Sequence, residues 1–116
     1  MLENYQSYLL PAAISGFFVW RLIKMNMSKR KIPDLLSRGG VMVDVRSREE
    51  FNSGAAKQCL NIPLDQIKKD LGKLNPEKPV ILCCASGTRS GMAALILKNN
   101  GFKEVVNVGS WTNLPL

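Results

Sequence analysis

The central stretch of the chain reads PVILCCASGTRSGMAALILKNNG over residues 79–101. Its first five residues form the most hydrophobic run of the domain and predict a strand buried on both faces, near the centre of a sheet. Residues 90–100 have the composition of a helix, ended by a glycine. The polar residues between them include Gly87, which permits a tight turn. A strand, a turn and a helix in this order predict one βα unit of a parallel sheet, with Cys84 at its carboxyl end.

The same alternation of short apolar runs and helical segments continues on both sides of this unit. Further strands are predicted at residues 41–45, 59–62 and 105–108, and helices at residues 33–36, 48–53 and 64–72. Ser47 followed by Glu50 has the spacing of a capping box, which indicates the start of the second of these helices. Strands that alternate with helices of this length predict an α/β fold, in which a parallel sheet carries helices on both faces.

The first thirty residues differ from this pattern, because residues 8–23 are mainly apolar and Arg21 is their only charged residue. Sixteen residues are close to the lower limit for a membrane span. Residues 1–31 hold five basic residues against Glu3, which is +4 of the net charge of +7, and the basic cluster follows the apolar run. By the positive-inside rule, an anchor of this kind places the following chain in the cytoplasm, at the inner face of the plasma membrane.

Two alternatives to a membrane anchor stay open for this segment. It could be a helix that packs on the domain or on a second copy of the chain in a homodimer, or a helix that lies in the membrane interface. We therefore predict three parts of the chain: an apolar helix at residues 1–24, a basic linker at residues 25–31 and a folded domain at residues 32–116.

The composition excludes several classes of function. The chain contains no histidine, which rules out Cys-His and Ser-His-Asp catalysis and the common His-containing zinc sites, and we predict neither a metal nor a cofactor. The basic cluster is not interleaved with aromatic residues, so we predict no nucleic-acid partner. The three cysteines are an odd number and two are adjacent, which indicates reactive thiols in a reducing compartment rather than a disulfide framework.

The segment that follows Cys84 has the features of an anion-binding loop. Its turn residues allow successive N–H groups to point inward, and the helix behind it adds a partial positive charge. A thiolate there should have a depressed pKa, and the same donors would bind an anion such as thiosulfate. Side chains alternate along a strand, so Cys83 is predicted in the core, as is Cys59. The predicted site comprises the nucleophile Cys84 and the anion-binding residues Ala85, Ser86, Gly87, Thr88 and Arg89, with Asp44 and Arg46 as supporting residues.

From about Pro33 to Trp111 the chain resembles the single-domain rhodaneses, a family of sulfurtransferases. The likeness rests on VDVR at 43–46 with EEF at 49–51, NIPL at 61–64, CASGTRS at 84–90 and VNVGSW at 106–111. It implies a three-layer sandwich around a mainly parallel sheet of four to five short strands. It also implies that Cys84 takes a sulfane sulfur from thiosulfate or a persulfide and passes it to cyanide, a thiol or a protein acceptor. The loop amides of residues 85–89 would form the cradle, with Arg89 binding the anion.

The chain departs from the family in one segment, and two other functions fit parts of the pattern. Where the family usually has Gly-His-Ile-Pro-Gly-Ala, this chain has Gly-Ala-Ala-Lys-Gln-Cys at residues 54–59. Cys83 and Arg89 match the Cys-x5-Arg spacing of phosphatases and arsenate reductases, although no residue is marked as their general acid. A membrane-tethered rhodanese-like module that delivers sulfur or binds partners without turnover would share every residue of the predicted site.

Overall fold

The computed structural model describes residues 2–115, with side chains placed for residues 7–24 and 27–115. The helices are α1 (Leu2–Arg30), α2 (Ile32–Ser37), α3 (Arg48–Ser53) and α4 (Thr88–Asn99). The strands are β1 (Val41–Asp44), β2 (Leu60–Asn61), β3 (Val80–Cys84) and β4 (Val105–Ser110). Three short 3₁₀ turns lie at Leu64–Gln66, Leu71–Lys73 and Trp111–Asn113.

The four strands form one sheet in the order β2-β1-β3-β4, and every neighbouring pair is parallel. β1 and β3 are the central strands, as the apolar run of β3 predicts. Their carboxyl ends carry Asp44 and Cys84, so both side chains lie at the edge where parallel sheets bind ligands. The predicted α/β fold with a parallel sheet is confirmed.

Apolar side chains fill the space on both faces of this sheet. Leu82 and Cys84 belong to a core cluster under α4, whereas Ile81 and Cys83 belong to a second cluster under α2. This alternation follows from the pleat of the strand. The sheet is therefore the middle layer of a sandwich, as the resemblance to rhodaneses implies.

The helix predicted at residues 64–72 is wrong. The segment instead contains two 3₁₀ turns, and the N–H of Ile67 donates to the carbonyl of Leu64 at 3.3 Å. Ile67 is nevertheless fully buried, and Leu64 and Leu71 pack against the same cluster. The apolar spacing thus identified the buried residues correctly. Short 3₁₀ turns bury the same apolar side chains as the predicted helix would.

The basic segment at residues 25–31, predicted as a linker, is helical as far as Arg30, and Lys31 forms the turn before α2. It contains neither glycine nor proline, and most of its residues are acceptable in helices. Lys29 and Arg30 lie in the last turn of α1, where positive charge is favourable. As a result α1 is one continuous helix that contacts the edge strand β4 and α2.

Candidate active site

The candidate active site is built on the loop that begins at Cys84, the last residue of β3, and ends where α4 begins at Thr88. Gly87 precedes the helix with a φ of +106°, a conformation that residues with a side chain rarely adopt. This turn directs the backbone N–H of Gly87 at the sulfur of Cys84, with 2.9 Å between the nitrogen and Sγ. The loop therefore folds back over the thiol.

Ser90 supplies a second hydrogen bond to the same sulfur. It lies in the first turn of α4, is fully buried, and places its Oγ 3.3 Å from Cys84 Sγ. The side chain of Cys84 is only 1% exposed. The sulfur is thus enclosed at the N-terminal end of a helix, where the aligned peptide dipoles favour negative charge.

These contacts decide the ionisation of Cys84. Burial alone would raise the pKa of the thiol, because it disfavours the charged form. Hydrogen bonds from the Ser90 hydroxyl and from the backbone N–H groups of Ser90, Gly87 and Ser86 act in the opposite direction and outweigh it. The pKa of Cys84 is consequently lower than that of a free cysteine, and more of it is nucleophilic thiolate near neutral pH.

Asn107 on β4 completes the hydrogen-bond network around the loop. Its amide nitrogen donates to the carbonyl of Gly87 at 3.0 Å, and its carbonyl oxygen accepts from the N–H of Gly109 at 2.9 Å. The same oxygen lies 2.7 Å from Ser90 Oγ. A hydroxyl has one proton to donate. The Ser90 proton can therefore serve either Asn107 or the sulfur, and an ionised sulfur attracts it more strongly.

A bulge in β4 places Asn107 in this position. Leu82 pairs with Asn107 but Cys84 pairs with Ser110, so β4 has one residue more than β3 over this interval. Gly109 within it has a φ of +81°. Bulges re-aim side chains near active sites, and this one directs Asn107 towards the loop.

Arg89, predicted to bind anions, forms a two-pronged ion pair with Glu50 of α3. The two guanidinium nitrogens lie 2.6 and 3.0 Å from the two carboxylate oxygens. Glu50 also accepts from Ser47 in the capping box, which is present as predicted. The Arg89 contact, opposed by partial desolvation, lowers the pKa of Glu50 to about 2. The structure thus links the loop to α3 through Arg89, a contact that local sequence does not predict.

A protein-family model described as "Rhodanese-like domain" matches residues 28–114 of the chain. The chain belongs to the rhodanese-like domain family. The chain is 39% identical over 71 residues to the "Uncharacterized protein YqhL" of Bacillus subtilis. This alignment covers 61% of the chain and 56% of that protein. The chain therefore spans little more than half of this curated relative.

Two further comparisons agree with this family. The chain is 36% identical over 101 residues to the "Putative thiosulfate sulfurtransferase, mitochondrial" of Schizosaccharomyces pombe, covering 74% of the chain and 68% of that protein. A solved structure described as "rhodanese with anions from E. coli" superposes with a TM-score of 0.61 at 27% identity, covering 65% of the chain and 91% of that structure. Relatives at this level support sulfur transfer as the general activity of the domain.

Asp44 and Arg46, the predicted supporting residues, lie on the side of the sheet that carries Cys83, and they stabilise the domain there. Their side chains form a buried ion pair at 2.8 Å, and Arg46 also donates to the carbonyl of Gly54 at 2.6 Å. The Arg46 guanidinium lies 4.8 Å from the centre of the Trp111 ring. These contacts connect β1 to α3 and to the last turn, so the pair supports the frame of the domain and not the sulfur directly.

Cys83 and Cys59 lie on this same side of the sheet. Cys83 is fully buried in the cluster under α2, which confirms its predicted core position, and Cys59 packs partly buried against that cluster. A hydrogen bond with Cys59, burial and the negative charge of Asp44 raise the pKa of Cys83. An un-ionised thiol that faces away from the loop argues against the phosphatase assignment, which requires Cys83 as the nucleophile.

A cleft of about 660 Å³ lies on the Arg89 side of the loop. α3 and the turn after β2 form its walls, and its charged lining residues are Arg48, Glu49, Asp65 and Arg89. A groove of about 600 Å³ lies on the other side, between α1 and α4. Solvent thus reaches the loop of this rhodanese-like domain from two directions.

Sequence reasoning missed Ser90, Asn107 and Glu50 as parts of the site. Ser90 had a usable signal, because a hydroxyl in the first turn of a helix can point back at the preceding loop. Glu50 was recognised only as a capping residue. Asn107 had no local signal, since its position depends on the bulge of β4.

Proposed function

We propose that this rhodanese-like domain is a sulfurtransferase in which Cys84 carries the transferred sulfur as a persulfide. The observation that carries the proposal is the pair of hydrogen bonds from the Gly87 N–H and the Ser90 hydroxyl to Cys84 Sγ. They stabilise a thiolate in a chain without histidine. The fission yeast relative is named for thiosulfate transfer, and the E. coli rhodanese was solved with anions, which supports an anionic donor for this chain.

The reaction then has two displacement steps. The Cys84 thiolate attacks the outer sulfur of thiosulfate, the S–S bond of thiosulfate breaks, and sulfite leaves with the bonding electron pair. A thiolate or cyanide acceptor attacks the outer sulfur of the resulting persulfide, and the Cys84 thiolate leaves. A low pKa of Cys84 favours both steps, because it supplies the attacking thiolate and makes the same group a good leaving group.

The cleft beside Arg89 is the proposed path for donor and acceptor. Arg48 and Arg89 supply guanidinium groups beside the acidic Glu49 and Asp65, and the ion pair with Glu50 keeps the Arg89 side chain in place at the loop. The backbone N–H groups of residues 85–89 would surround the outer sulfur of the persulfide, as in other anion-binding loops at helix N-termini.

Mass spectrometry of the full chain after incubation with thiosulfate tests this proposal. We expect a mass increase of one sulfur atom that cyanide removes, in the wild type and in Cys83→Ser but not in Cys84→Ser. An adduct that survives in Cys84→Ser and disappears in Cys83→Ser would show that Cys83, and not Cys84, is the nucleophile. Hydrolysis of p-nitrophenyl phosphate without any sulfur adduct would support a phosphatase instead.

We also propose that residues 8–23 of α1 anchor the domain to the cytoplasmic face of a membrane. An 18-residue window within Ser7–Ser37 has a mean hydropathy of 1.2 and none of it is buried. Phe17, Phe18, Val19 and Trp20 are each between 53% and 56% exposed. Four consecutive residues cover the whole circumference of a helix, whereas a dimer contact needs only one apolar stripe. A bilayer can cover every side of residues 8–23 that does not face the groove against α4.

The length and flanking charges agree with this anchor. Sixteen helical residues span about 24 Å, somewhat less than a hydrocarbon core of about 30 Å. Arg21 and Lys24 can extend their charges to the interface, and Trp20, which lies beneath Lys24 Nζ at 5.0 Å, is suited to the interfacial belt.

Fractionation of cells with a charge introduced inside or outside the span tests the anchor. Ile14 and Met27 are 49% and 57% exposed on the same helix, so Ile14→Arg and Met27→Arg form a matched pair. We expect the wild type and Met27→Arg to stay in the membrane fraction after a carbonate wash, and Ile14→Arg to be released. A soluble wild type, or a soluble dimer joined through α1 in cross-linking, would exclude the anchor.

A further inference from the structure

The N-terminal helix touches the loop that encloses the sulfur. Arg21 of α1 donates a hydrogen bond from its guanidinium to the backbone carbonyl of Ser86, at 3.3 Å. Residues 21 and 86 are far apart in sequence, and Arg21 precedes the part of the chain that the family model matches. The contact therefore adds a residue to the site that the rhodanese-like domain alone does not supply.

The accepting carbonyl and the donor to the sulfur belong to a single peptide group. The carbonyl of Ser86 and the N–H of Gly87 are the two ends of one planar unit, and that N–H lies 2.9 Å from Cys84 Sγ. Arg21, the peptide group and the sulfur thus form one continuous chain of hydrogen bonds. Because the unit is planar, a guanidinium that holds the oxygen on one side also holds the N–H on the other, towards the sulfur.

Two physical effects follow from this arrangement. A cation on the carbonyl oxygen polarises the peptide group and makes its N–H a stronger donor to an anion. The same contact restrains rotation of the peptide next to Gly87, a residue with wide conformational freedom and a φ of +106°. The following carbonyl, that of Gly87, is held by Asn107 at 3.0 Å, so the loop is secured at two successive carbonyls.

We propose that Arg21 is a positioning residue for Cys84, acting through the peptide group between Ser86 and Gly87, so that α1 forms part of the sulfur site. The inference rests on the proposed role of Cys84 in sulfur transfer. It gives the N-terminal helix a function in the reaction in addition to attachment: the loop has its full set of donors only while Arg21 of α1 lies against it.

The test compares the reactivity of Cys84 in Arg21→Gln with that in Lys24→Gln, in the full chain in detergent micelles. Lys24 lines the same groove and carries the same charge, but its Nζ lies over Trp20. Alkylation by iodoacetamide is followed at the Cys84-containing peptide by mass spectrometry as a function of pH. For Arg21→Gln we expect the midpoint of the profile to move upward and the rate at pH 7 to fall about three-fold, as for the loss of part of one hydrogen bond to a charged group.

Lys24→Gln should leave the profile unchanged, and Arg21→Lys should restore part of the rate because it retains a cationic donor. A wild-type profile in Arg21→Gln, or an equal shift in both glutamine variants, would overturn the inference, since the second result indicates only a general effect of charge. Sulfur loading of the wild type from thiosulfate is measured in parallel. If loading fails while the Arg21→Gln profile still shifts, the proposed function is wrong and the positioning role stands; if loading succeeds and the profile does not shift, only the positioning role is wrong.

Discussion

Cys83 and Cys84 are consecutive residues whose thiols lie on opposite faces of one sheet, Cys84 under the loop and Cys83 in the cluster under α2. The pKa of Cys83 is raised by its hydrogen bond with Cys59, by burial and by Asp44. The pKa of Cys84 is lowered, because hydrogen bonds from Ser90 and the loop N–H groups outweigh its burial. A single step along the strand therefore separates a structural thiol from a reactive one.

Replacing Cys83 by alanine should weaken the fold and leave sulfur transfer intact. The side chain is fully buried, so its removal leaves a small cavity, which we expect to lower the free energy of unfolding by about 1–2 kcal/mol. Urea denaturation measures this loss, and thiocyanate formation from thiosulfate and cyanide measures the activity. A folded Cys83→Ala protein that no longer accepts sulfur on Cys84 would contradict the separation of roles.

Replacing Ser90 by alanine should move the pH dependence of Cys84 alkylation to higher pH. The hydroxyl stabilises the thiolate and lowers the pKa, so its loss returns the midpoint towards that of free cysteine, about 8.5. A hydrogen bond to a charged group contributes about 1.5–3 kcal/mol, so the alkylation rate at pH 7 should fall by about ten-fold or more. Ser110→Ala is the control, since Ser110 Oγ contacts Thr112. Equal profiles for Ser90→Ala and the wild type would show that the Ser90 hydroxyl donates its hydrogen bond to Asn107 and not to the sulfur of Cys84.

Replacing Glu50 by glutamine should lower the melting temperature in a way that depends on pH. Glutamine keeps the capping box but removes the charge that pairs with Arg89. Because the pKa of Glu50 is depressed from 4.5 to about 2, the pair stabilises the fold fully above pH 4.5 and loses this effect as the pH falls towards 2. The difference from the wild type should therefore be largest at neutral pH and shrink in acid. Glu49→Gln, at an exposed neighbouring carboxylate, should show no such dependence.

Replacing Gln58 by glycine should stabilise the domain. Gln58 has a φ of +61°, and it stands where the usual family sequence Gly-His-Ile-Pro-Gly-Ala has its second glycine. The left-handed conformation costs a residue with a side chain about 1–2 kcal/mol, of which the greater flexibility of unfolded glycine offsets a part. We expect a net gain of about 0.5–1 kcal/mol in urea denaturation. Lys57→Gly, at the preceding position, should bring no gain, and a gain of equal size there would remove the conformational explanation.

The secondary-structure elements that could be predicted from the sequence are those that depend on residues close together in the chain. The apolar run at residues 80–84 could be assigned to a buried strand, and the capping box of Ser47 and Glu50 follows from a spacing of three residues. The alternation along β3 also assigned Cys83 to the face of the sheet opposite Cys84. Each of these features depends on at most a few adjacent side chains.

The contacts that sequence did not predict join residues far apart in the chain. Asn107 contacts Ser90 across a bulge in β4, and Arg21 contacts Ser86 where α1 packs against the domain beside β4. Residues 64–72 illustrate the converse case. Their apolar spacing correctly indicated burial of Ile67, but 3₁₀ turns bury this side chain as well as a helix would, so the spacing alone could not predict the type of turn.

The stacking of Arg46 on Trp111 gives the domain an optical signal of its own. The chain has two tryptophans, and the other one, Trp20, lies on α1. Trp111 fluorescence should change when the frame around Arg46 opens, whereas Trp20 emission should respond to quenchers placed in the acyl chains of lipid vesicles. With the single-tryptophan variants Trp20→Phe and Trp111→Phe, unfolding of the domain and insertion of the helix can be followed separately and without an external dye.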